Sequence, residues 1–292
     1  MIAADTPSLL AIHARARAWA GVMRLPFRQQ RWRGQSGEQM GTGTGSSLDF
    51  QDHRAYFPGD DPRQINWQAY ARTGNYSMKL YREEVRPLVD LILDVSASMF
   101  AFPDKEQRAL ELFAYAVEAS LQTGATLRCF AIRGQTHRHI ENDAVLSARW
   151  PQEVENLPAD DSAPALHHVP VRAGAMRILI SDLLFPADPD PMLLPLSTRS
   201  GRGIVFAPFS TEECDPRWDG NYDFIDAETT RAHEHRIDPE LLTRYEDAYR
   251  RHFTLWKSAA QKHGIALARV SSTADFQKAL QAEALPAGAV EM

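Results

Sequence analysis

The sequence predicts an α/β protein: a doubly wound, mostly parallel sheet covered by helices, with an N-terminal lobe before it. Three observations predict it. The runs "PLVDLILDV" at 87–95, "MRILIS" at 176–181 and "GIVFAPF" at 203–209 are apolar at nearly every position, as strands buried on both faces must be. Segments with helical spacing lie between such runs, the rhythm that βαβ units impose. Two runs end abruptly in acids, at Asp94 and Asp182, where open α/β sheets gather their ligands.

The 292 residues, 44% of them apolar, suffice for a large core. A net charge of −6 argues against a general polyanion binder, so no nucleic-acid partner is expected. Cys129 and Cys214 form neither a disulfide framework nor a zinc motif and suit reduced thiols in a cytoplasmic protein. Residues 7–22 read as an amphipathic helix. Arg15, Arg17 and Arg24 interrupt the apolar residues around Leu9 and Ile12 before a signal or membrane-spanning length is reached, so no transmembrane segment is expected. Residues 30–48, including "GQSGEQMGTGTGSS", read as a mobile loop whose glycines lack the flanking strand and helix of a phosphate-binding turn.

After the strand at 88–95, a helix carries Leu110, Phe113, Ala114, Val117 and Leu121 on one face, with Asp104 as its cap and Gly124 past its end. "TLRCFAI" and "THRHIE" then read as a strand pair, and the runs at 176–181 and 203–209 as strands separated by a helix over about 188–199. The clearest helix covers 238–263, with Asp238 as cap, Pro239 at its first position and a stripe of Leu242, Tyr245, Tyr249, Phe253, Trp256 and Ala260. "IALARV" at 265–270 reads as a last strand, followed by a short helix over 275–283.

The candidate site follows from the strand ends. Asp94, Ser96 and Ser98 can turn one carboxylate and two hydroxyls inward from a single loop, and Ser181 and Asp182 end a later strand at an equivalent place. Hard oxygen donors in this number suit Mg2+, with Mn2+ or Ca2+ as alternatives. The same residue types also cap helices and satisfy turn amides, so residue types alone leave metal binding and capping both open. The histidine pairs 137/139, 167/168 and 233/235 show no recurring two-site spacing, and "DVSAS" lacks the glycines of a nucleophile elbow.

The D-x-S-x-S pattern of Asp94, Ser96 and Ser98, with Asp182 ending a later strand, resembles the metal-ion-dependent adhesion site of von Willebrand factor A-like domains, which are Rossmann-type. By that resemblance Ser162, or Asp160 or Asp161 beside it, stands where a second loop usually offers a threonine. The block "FQDHRAYFPGDDPRQINWQAYARTGNYSMKLYREE" at 50–84 resembles the signature of the bacterial family called domain of unknown function fifty-eight. Arg54, Tyr56, Pro58, Gly59, Asp60, Asp61, Arg63, Ile65, Trp67, Ala71 and Arg72 match it, and Asn66 stands in place of its usual aspartate. "YDFIDAETT" and the Tyr245 helix are similar to that family as well. Its members are often encoded beside MoxR-type AAA+ ATPases, which implies a non-enzymatic adaptor coupling a protein partner to such an ATPase.

These readings divide the chain into a helical lead-in at 1–34, a signature segment at 35–86 packed on the main domain, a von Willebrand factor A-like domain at 87–283 and a flexible tail at 284–292. Turn chemistry at 58–61 places Asp60 or Asp61 within reach of Arg54, Arg63 or Arg72, while Tyr56 and Trp67 offer apolar faces for anchoring. Two other functions fit the same residues. One is a Mg2+- or Mn2+-dependent phosphoester hydrolase, the other a metal-free scaffold.

Overall fold

The computed structural model describes residues 2–27, 48–59, 62–83 and 86–292. In chain order, the first half runs α1 (Thr6–Val22), β1 (Leu48–Ala55), α2 (Trp67–Thr73), β2 (Ser77–Glu83), β3 (Leu88–Asp94), α3 (Pro103–Gln122), β4 (Thr126–Arg133), β5 (Thr136–Ile140), α4 (Asn142–Leu146) and α5 (Trp150–Val154). The second half runs β6 (Met176–Ile180), α6 (Pro189–Ser197), β7 (Arg202–Phe209), α7 (Thr211–Cys214), β8 (Gly220–Ile225), β9 (Ala232–Ile237), α8 (Pro239–Lys262), β10 (Ala266–Ser271) and α9 (Phe276–Ala279).

Six strands form the main sheet in the order β10-β7-β6-β3-β4-β5, parallel throughout except for β5, which returns antiparallel beside β4 at one edge. The mixed α/β, mostly parallel architecture is therefore the one the apolar runs predict. Strand side chains alternate between two covered faces. Ile92, Phe130, Leu179 and Val205 point to the layer made by α6 and α8, where they join Leu193, Leu196, Tyr249, Phe253 and Trp256 in one core. The alternate residues meet α3, as in the edge-on contact of Tyr115 with Phe206.

Every residue of α3 from Lys105 to Ser120 except Gln107 is buried, because one side rests on the sheet and another is covered by α1. The two helices are joined by Arg17 to Glu118 at 3.0 Å and by the Tyr115 hydroxyl donating to the Met23 carbonyl at 3.1 Å. Residues 1–30 thus cluster with 87–292 as one compact unit, in place of a separate lead-in. The tail also differs from expectation. Gly288, at φ +70°, turns the chain so that Ala289 and Val290 bury their side chains, and Arg24 and Glu291 exchange backbone hydrogen bonds of 2.7 and 2.8 Å. Asp238 caps α8 as predicted, accepting the Leu241 N–H at 2.8 Å. Asp104 does not cap α3, which starts one residue earlier at Pro103; its carboxylate instead accepts the hydroxyls of Ser210 and Ser272. Leu121, placed on the apolar face by its spacing, is exposed at the last turn.

Residues 31–86 form the second compact unit. The strands β1 and β2 pair antiparallel with a bulge between Phe50 and Asp52. Asn66 caps α2 by accepting the Ala69 N–H at 3.2 Å, and Gly74, at φ +69°, ends it. An asparagine caps about as well as an aspartate, so this cap does not require an aspartate at position 66. Tyr70 and Tyr76 stack at 4.4 Å, and Trp67 meets both edge-on. The segment 30–48 read as a mobile loop lies almost wholly outside the described residues.

Trp256 is 1% exposed and sits at the centre of the core on the α8 side. Trp256→Ala is expected to cost about 3–5 kcal/mol, seen as a lowered urea midpoint at unchanged slope.

Candidate functional site

Strand β3 pairs in parallel with β4 on one side and β6 on the other, so the order of winding reverses at β3 and leaves a crevice beyond its carboxyl end. Asp94 ends β3 and is fully buried. Its Oδ1 accepts the Ser96 N–H at 2.9 Å, and its Oδ2 accepts the Ser181 hydroxyl at 2.7 Å, which ties β3 to the end of β6. The half-buried hydroxyls of Ser96 and Ser98 lie 3.2 Å apart. The structure brings Asp94, Ser96 and Ser98 to one point. Burial, reinforced by the nearby Asp182 carboxylate, pushes the Asp94 acid up to about 7 against the hydrogen bonds from Ser181 and Ser96.

Asp182 reaches the same crevice already paired. Its Oδ1 accepts the Leu184 N–H at 3.1 Å, and its Oδ2 lies 3.0 Å from Lys105 Nζ. Lys105 rises from the first turn of α3, is 1% exposed and also pairs with Glu213. Burial alone would depress its pKa, but the carboxylates of Asp182 and Glu213 outweigh that and raise it, holding the ammonium charged. Glu213 closes a capping box with Ser210 at the start of α7. The next residue after Asp182 is Leu183, buried, with φ +60°; its carbonyl accepts from His252 Nε2 at 2.7 Å.

The strands β8 and β9 form a hairpin whose connecting turn reaches this loop. Glu228 Oε1 accepts the Ser98 N–H at 2.7 Å, and Glu228 Oε2 lies 3.8 Å from an Arg133 guanidinium nitrogen. Arg133 lines a cavity of about 240 Å³ together with Val95, Ala97 and Phe100.

Ser162 is placed elsewhere. Its hydroxyl donates to Asp160 Oδ1 at 2.6 Å beside the turn between β4 and β5, and among the described residues no hydrogen bond joins it to Asp94, Ser96 or Ser98. Gly134 in that turn holds φ +52° against the Asp160 carboxyl, where a Cβ would come within 2.1 Å. In the signature block, Asp60 and Asp61 lie outside the described residues, as does the side chain of Arg54, whose backbone in β1 pairs with Met78 of β2. Tyr56 and Trp67 join the aromatic cluster around Tyr76, at 6.0 and 6.4 Å. Arg63 is exposed in the turn before α2, and Arg72 donates to its own helix at the Gln68 carbonyl. Among the described residues no three His, Cys, Asp or Glu side chains gather as a metal group. Sequence reasoning missed Lys105, Arg133, Glu213 and Glu228. Lys105 and Glu213 each fall near the start of a helix, where charged residues are ordinary, and Glu228 lies in a polar turn.

Two outcomes follow. The folded chain keeps a proton on Asp94 up to about pH 7, whereas the unfolded chain releases it at its ordinary value of 3.8, so this group's effect is a stability that falls as pH rises between those values. Asp94→Asn is expected to recover on the order of 4 kcal/mol at about pH 8 and nothing near pH 4, read as thermal melts across pH. Lys105→Ala, which strands two buried carboxylates, is expected to cost about 3–5 kcal/mol by urea denaturation.

The model of the family described as "Protein of unknown function DUF58" matches residues 52–254. An uncharacterized protein of Mycobacterium bovis and another of Mycobacterium tuberculosis are each 29% identical over 226 residues, covering 70% of this chain and 68% of the relative. Two solved structures show partial similarity. An aerotolerance-related membrane protein from Bacteroides fragilis has a TM-score of 0.31 at 14% identity, covering 61% of this chain and 98% of that one. A conserved hypothetical protein BatB from Bacteroides thetaiotaomicron has a TM-score of 0.33 at 13% identity, covering 69% and 98%. With its signature block and most of its sheet inside the matched span, this chain belongs to the DUF58 family of proteins of unknown function.

Proposed function

We propose that this chain is a non-enzymatic protein-binding adaptor, built on a von Willebrand factor A-like domain, that takes a carboxylate of a partner protein at the loop following β3. The observation that carries this reading is the loop itself. It gathers Asp94 and the two serine hydroxyls at the switch point of the sheet and already receives a carboxylate, that of Glu228, on the Ser98 N–H.

The donor set fits a hard divalent cation. Asp94 is a buried acid whose negative charge is disfavoured by burial and by Asp182 and which a cation would compensate, and two half-buried hydroxyls stand beside it. Asp94, Ser96 and Ser98 would hold Mg2+, or Mn2+ or Ca2+, and the ion would supply a vacant coordination position for the partner's carboxylate. Asp182 would act from further out, since Lys105 neutralises it, and Ser162 has no part in this set. The same lysine supports a second reading. An ammonium fixed among the strand ends supplies positive charge without any metal, so the loop can also serve as a metal-free scaffold.

The family resemblance supports a MoxR-type AAA+ ATPase as the partner, and the free cysteines Cys129 and Cys214 suit a cytoplasmic setting. Among the described residues no helix is long and apolar enough to cross a membrane.

Affinity for such an ATPase is expected to fall at least about tenfold, or 1.4 kcal/mol, with chelator or with Asp94→Ala. Undiminished binding under both treatments sinks the metal bridge. Calorimetric titration with Mg2+ separates the readings, heat in the wild type but not in Asp94→Ala favouring the cation.

A further inference from the structure

We infer that the loop after β3 contains a carboxylate-binding subsite, made by the Ser98 N–H and the Arg133 guanidinium, which Glu228 fills in cis and an acidic side chain of a partner must take over. This deepens the adaptor reading and rests on it only for the partner's identity, since neither group of the subsite depends on a metal.

Glu228 is aimed, not merely nearby. Asp226 Oδ1 accepts the Glu228 N–H at 3.0 Å, the Thr229 N–H at 2.7 Å and the Thr229 hydroxyl at 2.9 Å, and Thr230 turns the chain at φ +58°. This fixed turn delivers the carboxylate across 130 residues of sequence onto one backbone N–H of the loop. A charged acceptor on a backbone donor at 2.7 Å is a strong contact.

The other half of the contact is left incomplete. Glu228 Oε2 and Arg133 Nε are both buried without a hydrogen-bond partner, and the oxygen stands 3.8 Å from the nearest guanidinium nitrogen. An arginine facing a well-placed carboxylate closes to about 2.8 Å, often with two parallel bonds. Tethered by its turn, Glu228 satisfies the Ser98 N–H but cannot complete the fork. A carboxylate arriving on a separate chain is free of that tether and can satisfy both groups. The hairpin is suited to yielding, because among residues 220–237 only Ile237 is buried. Elements with so little apolar burial open at low cost.

The test uses the full chain in EDTA with the minimal probe N-acetyl-glutamate methylamide. NMR follows the Ser98 amide and the Arg133 Nε–H. In Glu228→Ala the probe is expected to shift both signals saturably, at concentrations at least tenfold below those needed in the wild type. The corresponding glutamine amide should shift neither, and Glu228→Ala combined with Arg133→Gln should lose the response. Glu228→Gln, whose amide oxygen still accepts from Ser98, should fall between wild type and Glu228→Ala. Equal responses in wild type and Glu228→Ala, with both melting alike, overturn the subsite. The ATPase assay then separates the two ideas: tighter binding by Glu228→Ala supports both, whereas a normal probe response with unchanged ATPase binding keeps the subsite and removes the ATPase from it.

Discussion

The carboxyl edge of the sheet depends on one buried ammonium. Lys105 enters from the start of α3 and pairs with Asp182 after β6 and Glu213 after β7, while its neighbour Asp104 accepts hydroxyls that follow β7 and β10. Parallel strands end without the tight hairpins that lock antiparallel ones, so their tips need side-chain ties. A charge removed from water is costly unless geometry and partners compensate, and here two carboxylates converge on one cation. The tie is therefore a source of positional specificity more than of net stability. Ser181, the residue before the tied Asp182, donates to Asp94, so the tie lies one residue from the bond that orients that acid.

Much of the architecture was legible because burial leaves a periodic trace. The strands at 88–94 and 176–180 carry almost unbroken apolar runs, and α8 shows its stripe with both cap signals in place. The hairpin of β8 and β9 left no such trace, since its residues are mostly exposed. The short helices α4 and α5 are only five residues each, too brief to establish a helical period. The tail misled for a related reason: a sequence of small residues does not announce that Gly288 will fold Ala289 and Val290 back onto the body.

The site was legible in part. Asp94, Ser96 and Ser98 are adjacent in sequence, so a single turn suffices to gather them, and the apolar run before them fixes where that turn must lie. Ser162 depended on a distant loop, and no local pattern reveals that Asp160 captures its hydroxyl first. Lys105 and Glu228 reach the crevice across long stretches of chain, 77 residues from Asp182 and 130 from Ser98. Contacts of that kind are settled by topology, which composition and spacing do not encode.

Leu183 holds a left-handed backbone that a branched aliphatic residue adopts only under compulsion, and it does so directly after Asp182. Its buried side chain and the His252 hydrogen bond on its carbonyl supply that compulsion. The turn is consequently a small reservoir of torsional energy, retained only while α8 stays seated against the sheet. Any displacement of α8 that frees this carbonyl would let the torsion relax and swing the neighbouring acid, linking the far helix mechanically to the mouth of the crevice.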